Sequence, residues 1–465
     1  MPFHGVDAAP VLRELTAPPD ALLRLAGTFP DEFPVLLDSA IHGPGHDWSV
    51  LGAFPEAMLW RDLQGLKSQG YAPVDGGFLD NLQHWWQTTR CRRESTSPAA
   101  KLPFRGGWLV FLGYETAAEV EPTIDFPRRD MPGGLVAAAL RVACAVLRHA
   151  SGRLVAVAEP GREPLLDRLE ARLTAVSGER IVVRSAGHPA HLQEDEPAQF
   201  LSAVATAKRH IAAGDIYQAN LSRAWRAPWG NAAGEEALYR ALREANPAPF
   251  AAWARLPGLR ILSSSPERLV RVRGARVETR PIAGTRARRG ESTAAGELAE
   301  LLANPKERAE HVMLIDLERN DLGRVCRGGS VQVDEFMVTE SYRHVHHIVS
   351  NVSGELLPDT NPVSVLRALF PGGTITGCPK YRCMQLIGVL EGVARGAYTG
   401  SLGYINCDGD MDFSILIRTL TLGDGWLQFR AGAGIVADSD GERELAETRA
   451  KAQGLLRAVQ VASTP

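Results

Sequence analysis

Two glutamate pairs in this chain have the spacing to grip a hard cation: Glu307 with Glu310 in KERAEHVML, and Glu444 with Glu447 in RELAETRAKA. Residues three apart on a helix share a face, so two such helices meeting would make an oxygen-rich pocket. Magnesium suits it, because that ion takes one or two direct carboxylates and keeps several waters. The remaining acids would then orient the ligands from behind. Lys451 follows the second pair by one turn. Taken alone, either E-x-x-E reads more simply as a solvated helix face.

A second group of residues suits anions. In FRAGAGIVADSD, Gly432 and Gly434 would let backbone N–H groups approach an anion closely, and Arg418, expected on a neighbouring strand, carries a fork that grips a carboxylate with two bonds. The same glycines could instead mark a bulge or a packing constraint. FPGGTITGCPK resembles a phosphate loop superficially but lacks the G-K-[ST] ending, and Pro379 removes a donor where a cradle needs one. Thr374 remains there as a hydroxyl donor or a turn residue. In YRHVHHIVSNV, His344 and His346 share one strand face and His347 the other, so one general base is more economical than a three-histidine zinc site. Histidines held by structural hydrogen bonds are the alternative. SSSPE lacks the G-x-S-x-G context of a hydrolase nucleophile. In ETRPIAGTRARRGE the turn at Ala283, Gly284 and Thr285 is built for binding, with a methyl group where a longer side chain could reach.

These groups need a large frame. A chain of 465 residues exceeds the size at which one core forms easily, and 51 basic against 54 acidic residues remove the electrostatic case for nucleic acid or an anionic membrane. The start lacks a secretory pattern, and Gly133 to His149, the most apolar window, is too short to span a bilayer and carries Arg141. Six cysteines without a C-x-x-C pair indicate neither zinc ribbon nor disulfide scaffold, so a reducing cytoplasm is expected. Phe200, Val204, Ala207 and Ile211 recur at helical spacing, with Asp195 as N-cap, Pro197 in the first turn and Gly214 as stop. Strand-like runs (RILSSS, RVRGARVETR, FSILIRTLTL, WLQFRAGAGIVA) alternate with helical ones (AAGELAELLAN, KERAEHVMLIDLERNDL, CMQLIGVLEGV). Their in-out alternation predicts antiparallel sheets with one covered face and helices outside.

SSSPERLV, RPIAGTR, AEHVMLIDLERNDLGRV, HHIVS, FPGGTITGCPK, IRTL, AGAGIVADSD and ELAETRAKA occur in the order seen in the chorismate-utilising enzymes. The chain resembles that family densely from about residue 195 onward, and more loosely earlier, through FPVLLDSA and GWLVFLGYE. The resemblance implies an α+β fold: a large two-layer antiparallel β-sandwich with helices packed outside. It divides the chain into an amino-terminal region (1–184), a connector (185–197) and a chorismate-binding catalytic region (198–465), the two regions intertwined.

It also implies roles. Glu310 and Glu447 are the expected Mg²⁺ ligands, with Glu307 and Glu444 behind them, holding the ring carboxylate of chorismate. Arg418, Tyr398 and the backbone at Gly432 and Gly434 are expected on the enolpyruvyl carboxylate. Glu267 falls beside the departing hydroxyl, Thr374 on substrate, Lys451 near the metal, His347 at the position of a base, and Gly284 and Thr285 toward the ring. Gln218 stands where water-adding relatives carry a lysine base, which favours ammonia as nucleophile. No G-x-C-x-G turn is present, so ammonia is expected from a separate glutaminase in a heterodimer.

Within the ammonia users, the component I subunits of aminodeoxychorismate synthases and of anthranilate synthases compete. Ala283 occupies the position of a lysine nucleophile in the best-described former group and matches the latter. FPGGTITG and GDMDFSILIRTL are closer to the former, and LLDSA departs from the LLES of tryptophan-sensing relatives. The expectation is aminodeoxychorismate synthase, with anthranilate synthase as alternative and a non-catalytic partner-binding scaffold as a third reading.

Overall fold

The protein was described from a computed structural model covering residues 9–41, 47–91, 97–178, 192–230, 234–287, 296, 305–341 and 345–462; for 283–287, 305–307, 341 and 345–347 it describes the backbone alone. Two large antiparallel sheets make the frame. The first runs, in spatial order, Val11–Leu15, Leu154–Ala158, Cys144–His149, Trp48–Ala53, Val35–Asp38, Phe250–Leu256, Leu259–Ser265, Thr419–Gly423, Gly425–Ile435, Gln218–Trp229 and Gln193–Glu194, with Gly377–Cys378 also paired to Gln218–Trp229. The second runs Ile282–Ala287, Val345–Glu355, Arg276–Arg280, Arg268–Arg273, Met411–Ile415, Ser401–Asn406, Gly107–Leu112, Leu135–Val142, Ala57–Asp62 and Gly65–Gln69, with Gln332–Ser341 paired to Val345–Glu355. Both sheets draw strands from the two ends of the chain.

Side chains of both sheets interdigitate between them: Val35, Val50, Ala252 and Ile261 meet Leu109, Phe111, Ala138 and Leu402. Outside the first sheet, helices Ala21–Thr28, Pro164–Ser177, Glu235–Ala245 and Gly441–Ala462 cover Leu36, Leu51, Trp253 and Phe429. Outside the second, Phe78–Thr89, Pro305–Gly323 and Pro362–Leu369 cover Trp108, Val270 and Phe413. The expectation of one covered face is therefore corrected. Gly107–Leu112 is buried at every residue, because the opposite sheet covers one face and helices the other.

Two local expectations also change. RVRGARVETR is a hairpin, Arg268–Arg273 and Arg276–Arg280, turning at Gly274 with φ +61°. Helix Pro197–Ala212 buries Phe200, Val204 and Ala207 as its spacing predicts, but Glu196 is its N-cap and gives no side-chain bond. Asp195 instead accepts from the Ala224 amide at 2.8 Å and pairs with Arg226, because the adjoining Gln193–Glu194 strand lies against Gln218–Trp229. Most of the expected connector, and the helix expected in AAGELAELLAN apart from Gly296, lie outside the described residues, as does His344. All six cysteines are free. Among the described residues no helix is long and apolar enough to cross a membrane.

Candidate active site

Strand Gly425–Ile435 lies between Thr419–Gly423 and Gln218–Trp229, but Thr419–Gly423 pairs with it only as far as Phe429. Among the described residues, 430–435 thus pair along one edge and leave the other open. In a strand a residue's N–H and C=O point to the same edge. Lys451 Nζ donates to Gly432 O at 3.0 Å, which places the Gly432 amide on the open edge and Gly434, two residues on, beside it. The glycine spacing therefore offers N–H groups to an anion.

Both glycines are needed for space. A Cβ on Gly432 would stand 2.6 Å from the Tyr398 hydroxyl and 2.7 Å from Asn220 Oδ1, and one on Gly434 would collide with the Gln218 amide nitrogen. Across the ladder Gly434 faces Asn220 and Gly432 faces Ser222. Gln218, Asn220 and Ser222 therefore project from the same sheet face as Gly434, Gly432 and Arg430.

The carboxylates arrive from two helices. Glu310, on Pro305–Gly323, accepts from Gln218 Nε2 at 3.2 Å. Glu447, on Gly441–Ala462, pairs with Lys451 Nζ at 2.7 Å and is 48% exposed, whereas Glu444 is buried. Both acids are thus tied to the same short stretch of strand, Glu310 through Gln218 at Gly434 and Glu447 through Lys451 at Gly432. Among the described residues no group of three or more His, Cys, Asp or Glu makes a metal cage. Magnesium asks for less, one or two carboxylates with water completing the shell, and this donor set fits it. The side chain of Glu307 lies outside the described residues, as do those of Ala283, Thr285 and His347. Their backbones place Thr285 opposite His347 in the Ile282–Ala287 and Val345–Glu355 pairing.

Glu267 sits at the end of the Leu259–Ser265 strand, buried. Burial pushes its carboxyl up to about 7, against the opposing influence of the Thr374 hydroxyl, Arg418, Lys451 and the Ile282 amide. The Ile282 amide belongs to the PIAGT turn and Thr374 to the GGTI turn, while Lys451 is bonded to Gly432 of the glycine strand. Neither Glu267 Oε1 nor Thr374 Oγ1, both buried, completes a hydrogen bond of good geometry among the described residues. Arg418 is not on a strand neighbouring the glycines, as expected, but in the link that passes from Met411–Ile415 in one sheet to Thr419–Gly423 in the other, with φ +51°. Its carbonyl accepts from the Ser264 amide at 3.1 Å. Burial lowers its guanidinium and the Glu267 charge opposes that shift. Ser263 and Ser265 are spent inside the fold, on Thr419 and on the Ile415 carbonyl.

Several groups escaped sequence reasoning. Asn220 is two residues from Gln218 and so on its face, a relation strand periodicity alone could have supplied. Further along that face, Glu391 accepts from the Ser222 amide at 2.8 Å, from Arg395 at 2.6 Å and from Arg430 at 3.0 Å. Arg395 also donates to the carbonyls of Asn220 at 2.6 Å and Ile375 at 3.2 Å and lies over the rings of Tyr114 and Tyr398. This network fixes the backbones that carry Asn220 and Thr374. His311, fully buried, meets Ser350 Oγ at 2.7 Å, and burial lowers its imidazole to about 4. Behind Glu267, Glu318 is raised to about 8, first by burial and then by Asp321, which is itself bound to Lys380.

A separate cavity of about 170 Å³ opens between the sheets, lined by Asp38, Trp48, Phe250, Arg271 and Tyr404 among others. None of the candidate site residues lines it. Asp38, in LLDSA, is already engaged by Ser49 at 2.8 Å and Arg243 at 2.7 Å.

The family model described as chorismate binding enzyme matches residues 47–457. The chain is 39% identical over 443 residues to aminodeoxychorismate synthase component 1 of Bacillus subtilis (strain 168), covering 92% of each chain. It is 42% identical over 476 residues to anthranilate synthase component 1 of Streptomyces coelicolor, covering 97% of this chain and 88% of that one. Among solved structures, anthranilate synthase component I from Streptococcus pneumoniae TIGR4 is similar at a TM-score of 0.77 and 30% identity, over 89% of this chain and 93% of that one.

Proposed function

From the premise that the chain belongs to the chorismate-binding enzymes, we propose that it is component I of an aminodeoxychorismate synthase. In this reading it converts chorismate and ammonia to 4-amino-4-deoxychorismate, the precursor of p-aminobenzoate and folate, with ammonia delivered by a separate glutaminase subunit. The observation that carries it is the buried Glu267 carboxyl beside Thr374 in the FPGGTITG turn, pushed up to about 7 by that burial. A hydroxyl is a poor leaving group, and a carboxyl kept neutral near pH 7 can protonate it as it departs.

The roles are those the family resemblance implies, carried onto the positions described above. Arg418, Tyr398 and the open-edge amides of Gly432 and Gly434 hold the enolpyruvyl carboxylate. Glu310 and Glu447 would hold Mg²⁺, with Glu444 and, by the resemblance, Glu307 supporting them. That ion would supply charge to neutralise the ring carboxylate of chorismate. Lys451 orients Glu447 and the Gly432 carbonyl. By the same resemblance Gly284 and Thr285 would face the ring; in the ladder the Thr285 backbone pairs with that of His347. Holding the substrate at both carboxylates makes the site of attack a question of position.

Gln218 disfavours addition of water, since an amide cannot serve as base. The second reading, anthranilate synthase component I, is favoured by Ala283 and by the Streptomyces coelicolor relative. FPGGTITG, GDMDFSILIRTL and LLDSA support the first. In it, Ala283 excludes a covalent lysine adduct, so ammonia reaches C4 directly or after another nucleophile has added at C2. Incubation with chorismate, Mg²⁺ and ammonium salt tests the reading by the product released.

Glu447→Gln keeps the shape and removes the charge. It should raise the Mg²⁺ concentration for half-maximal turnover by about 10–100-fold while leaving glutaminase binding intact. Unchanged magnesium dependence in a titration would sink the assignment of Glu447.

A further inference from the structure

We propose that Gln218 and Asn220 together form the seat for the incoming ammonia. The inference rests on the nitrogen-transfer reading and adds to it a binding residue, Asn220, and a geometry. The two side chains leave the same face of the Gln218–Trp229 strand, because the intervening Ala219 and the next residue, Leu221, turn into the core on the other side with Ala433 and Ile435. Gln218 is 2% exposed. Its Nε2 donates to Glu310, which fixes the amide and turns the carbonyl oxygen away from that acid. Gln218 Oε1 and Asn220 Oδ1 are both buried, and neither has a hydrogen-bond partner among the described residues.

Such acceptors are costly, about 1–3 kcal/mol each when left unmade. Asn220 Oδ1 lies beside Gly432, where a Cβ would stand 2.7 Å from it, and the Gln218 side chain lies beside Gly434, where a Cβ would collide with its Nε2. The site is therefore an acceptor pair waiting for a small donor. Chorismate presents mainly acceptors, two carboxylates and an ether, with one hydroxyl as donor. Ammonia has three N–H bonds and one lone pair. Giving two N–H bonds to the amide carbonyls leaves the lone pair pointing away from the strand, toward a ring held over the glycines.

Water could donate in the same way, but it must lose a proton as it attacks, and neither amide oxygen is basic enough to take it. Ammonia attacks through its lone pair and sheds a proton afterwards. The pair thus binds either molecule and activates neither, which selects the one that needs no activation. Charged groups beside the seat are Glu310, on Gln218, Arg395, which donates to the Asn220 carbonyl and is paired with Glu391, and the Lys451–Glu447 pair at Gly432.

Steady-state kinetics with ammonium salt as nitrogen source test this. Asn220→Ala should raise the KM for ammonium about tenfold, the loss of one hydrogen bond, and leave the KM for chorismate within about twofold. Asn220→Asp, which keeps an acceptor oxygen in place, should restore the ammonium KM to within about threefold of the parent. An unchanged ammonium KM in Asn220→Ala, or a chorismate KM that rises in step with it, overturns the seat. So does an Asn220→Asp variant no better than Asn220→Ala. If the parent chain releases no aminated product, the functional reading falls and the seat with it; aminated product with an unmoved ammonium KM removes the seat alone.

Discussion

Replacing Glu267 by glutamine is expected to lower kcat for chorismate turnover by about two to four orders of magnitude, with the KM for chorismate changed by less than about threefold. The substitution preserves volume and leaves a neutral group beside Thr374, Arg418 and the Ile282 amide. What it removes is the proton. The carboxyl is held up to about 7, chiefly by burial, so in the parent enzyme the acid form and the rate should fall together as pH rises through that value. In the variant this limb should vanish.

Stability should move in the opposite sense. A carboxyl raised in the folded state keeps its proton between its ordinary value and about 7, where the unfolded chain has lost it. Its contribution is full below the ordinary value and is lost as pH rises through the folded one. Glu267→Gln, which cannot ionise, should therefore gain stability relative to the parent between about pH 5 and pH 8, measured by urea unfolding. A variant with parental kcat, or one that retains the alkaline limb, would remove Glu267 from the chemistry.

The second large effect is structural. Glu391→Ala should cost about 3–5 kcal/mol of folding stability, the usual penalty for leaving a buried charge without its partner. Two guanidiniums are stranded at once, Arg395 and Arg430, each nearly inaccessible. Glu391 remains ionised in the fold because both arginines and the Ser222 amide outweigh its burial. Arg395 braces the Asn220 and Ile375 carbonyls, so activity should fall further than unfolding alone explains. A loss below about 1 kcal/mol in urea unfolding would show that the arginines find other partners.

The chemistry of the site was more legible in the sequence than its geometry. Gly432 and Gly434 could be singled out because a G-x-G inside a strand pattern is unusual, and the two glutamate pairs because their spacing is. Arg418 could be named but not placed: it lies in a link between sheets, where neighbours in sequence belong to different layers. Glu391 and Arg395 belong to no motif that sets them apart from other charges in the sequence. Only the packing of Gln218–Trp229, Gly425–Ile435 and Lys380–Glu391 around them removes them from water. For the same reason the sheets were recognisable as antiparallel while their doubly covered strands were not. Cover comes from the opposite sheet and from helices remote in the chain, and alternation within a strand does not report it. Asn220 was within reach of strand periodicity once Gln218 was chosen, but its unpaired oxygen is visible only in the folded chain.

The product of the chain itself bears most directly on the account. Purified chain incubated with chorismate, Mg²⁺ and ¹⁵N-labelled ammonium salt should yield a compound that carries the label and becomes p-aminobenzoate only after an aminodeoxychorismate lyase is added. Labelled anthranilate formed without a second enzyme would contradict the account in favour of attack at C2, and an unlabelled hydroxylated product would contradict nitrogen transfer altogether.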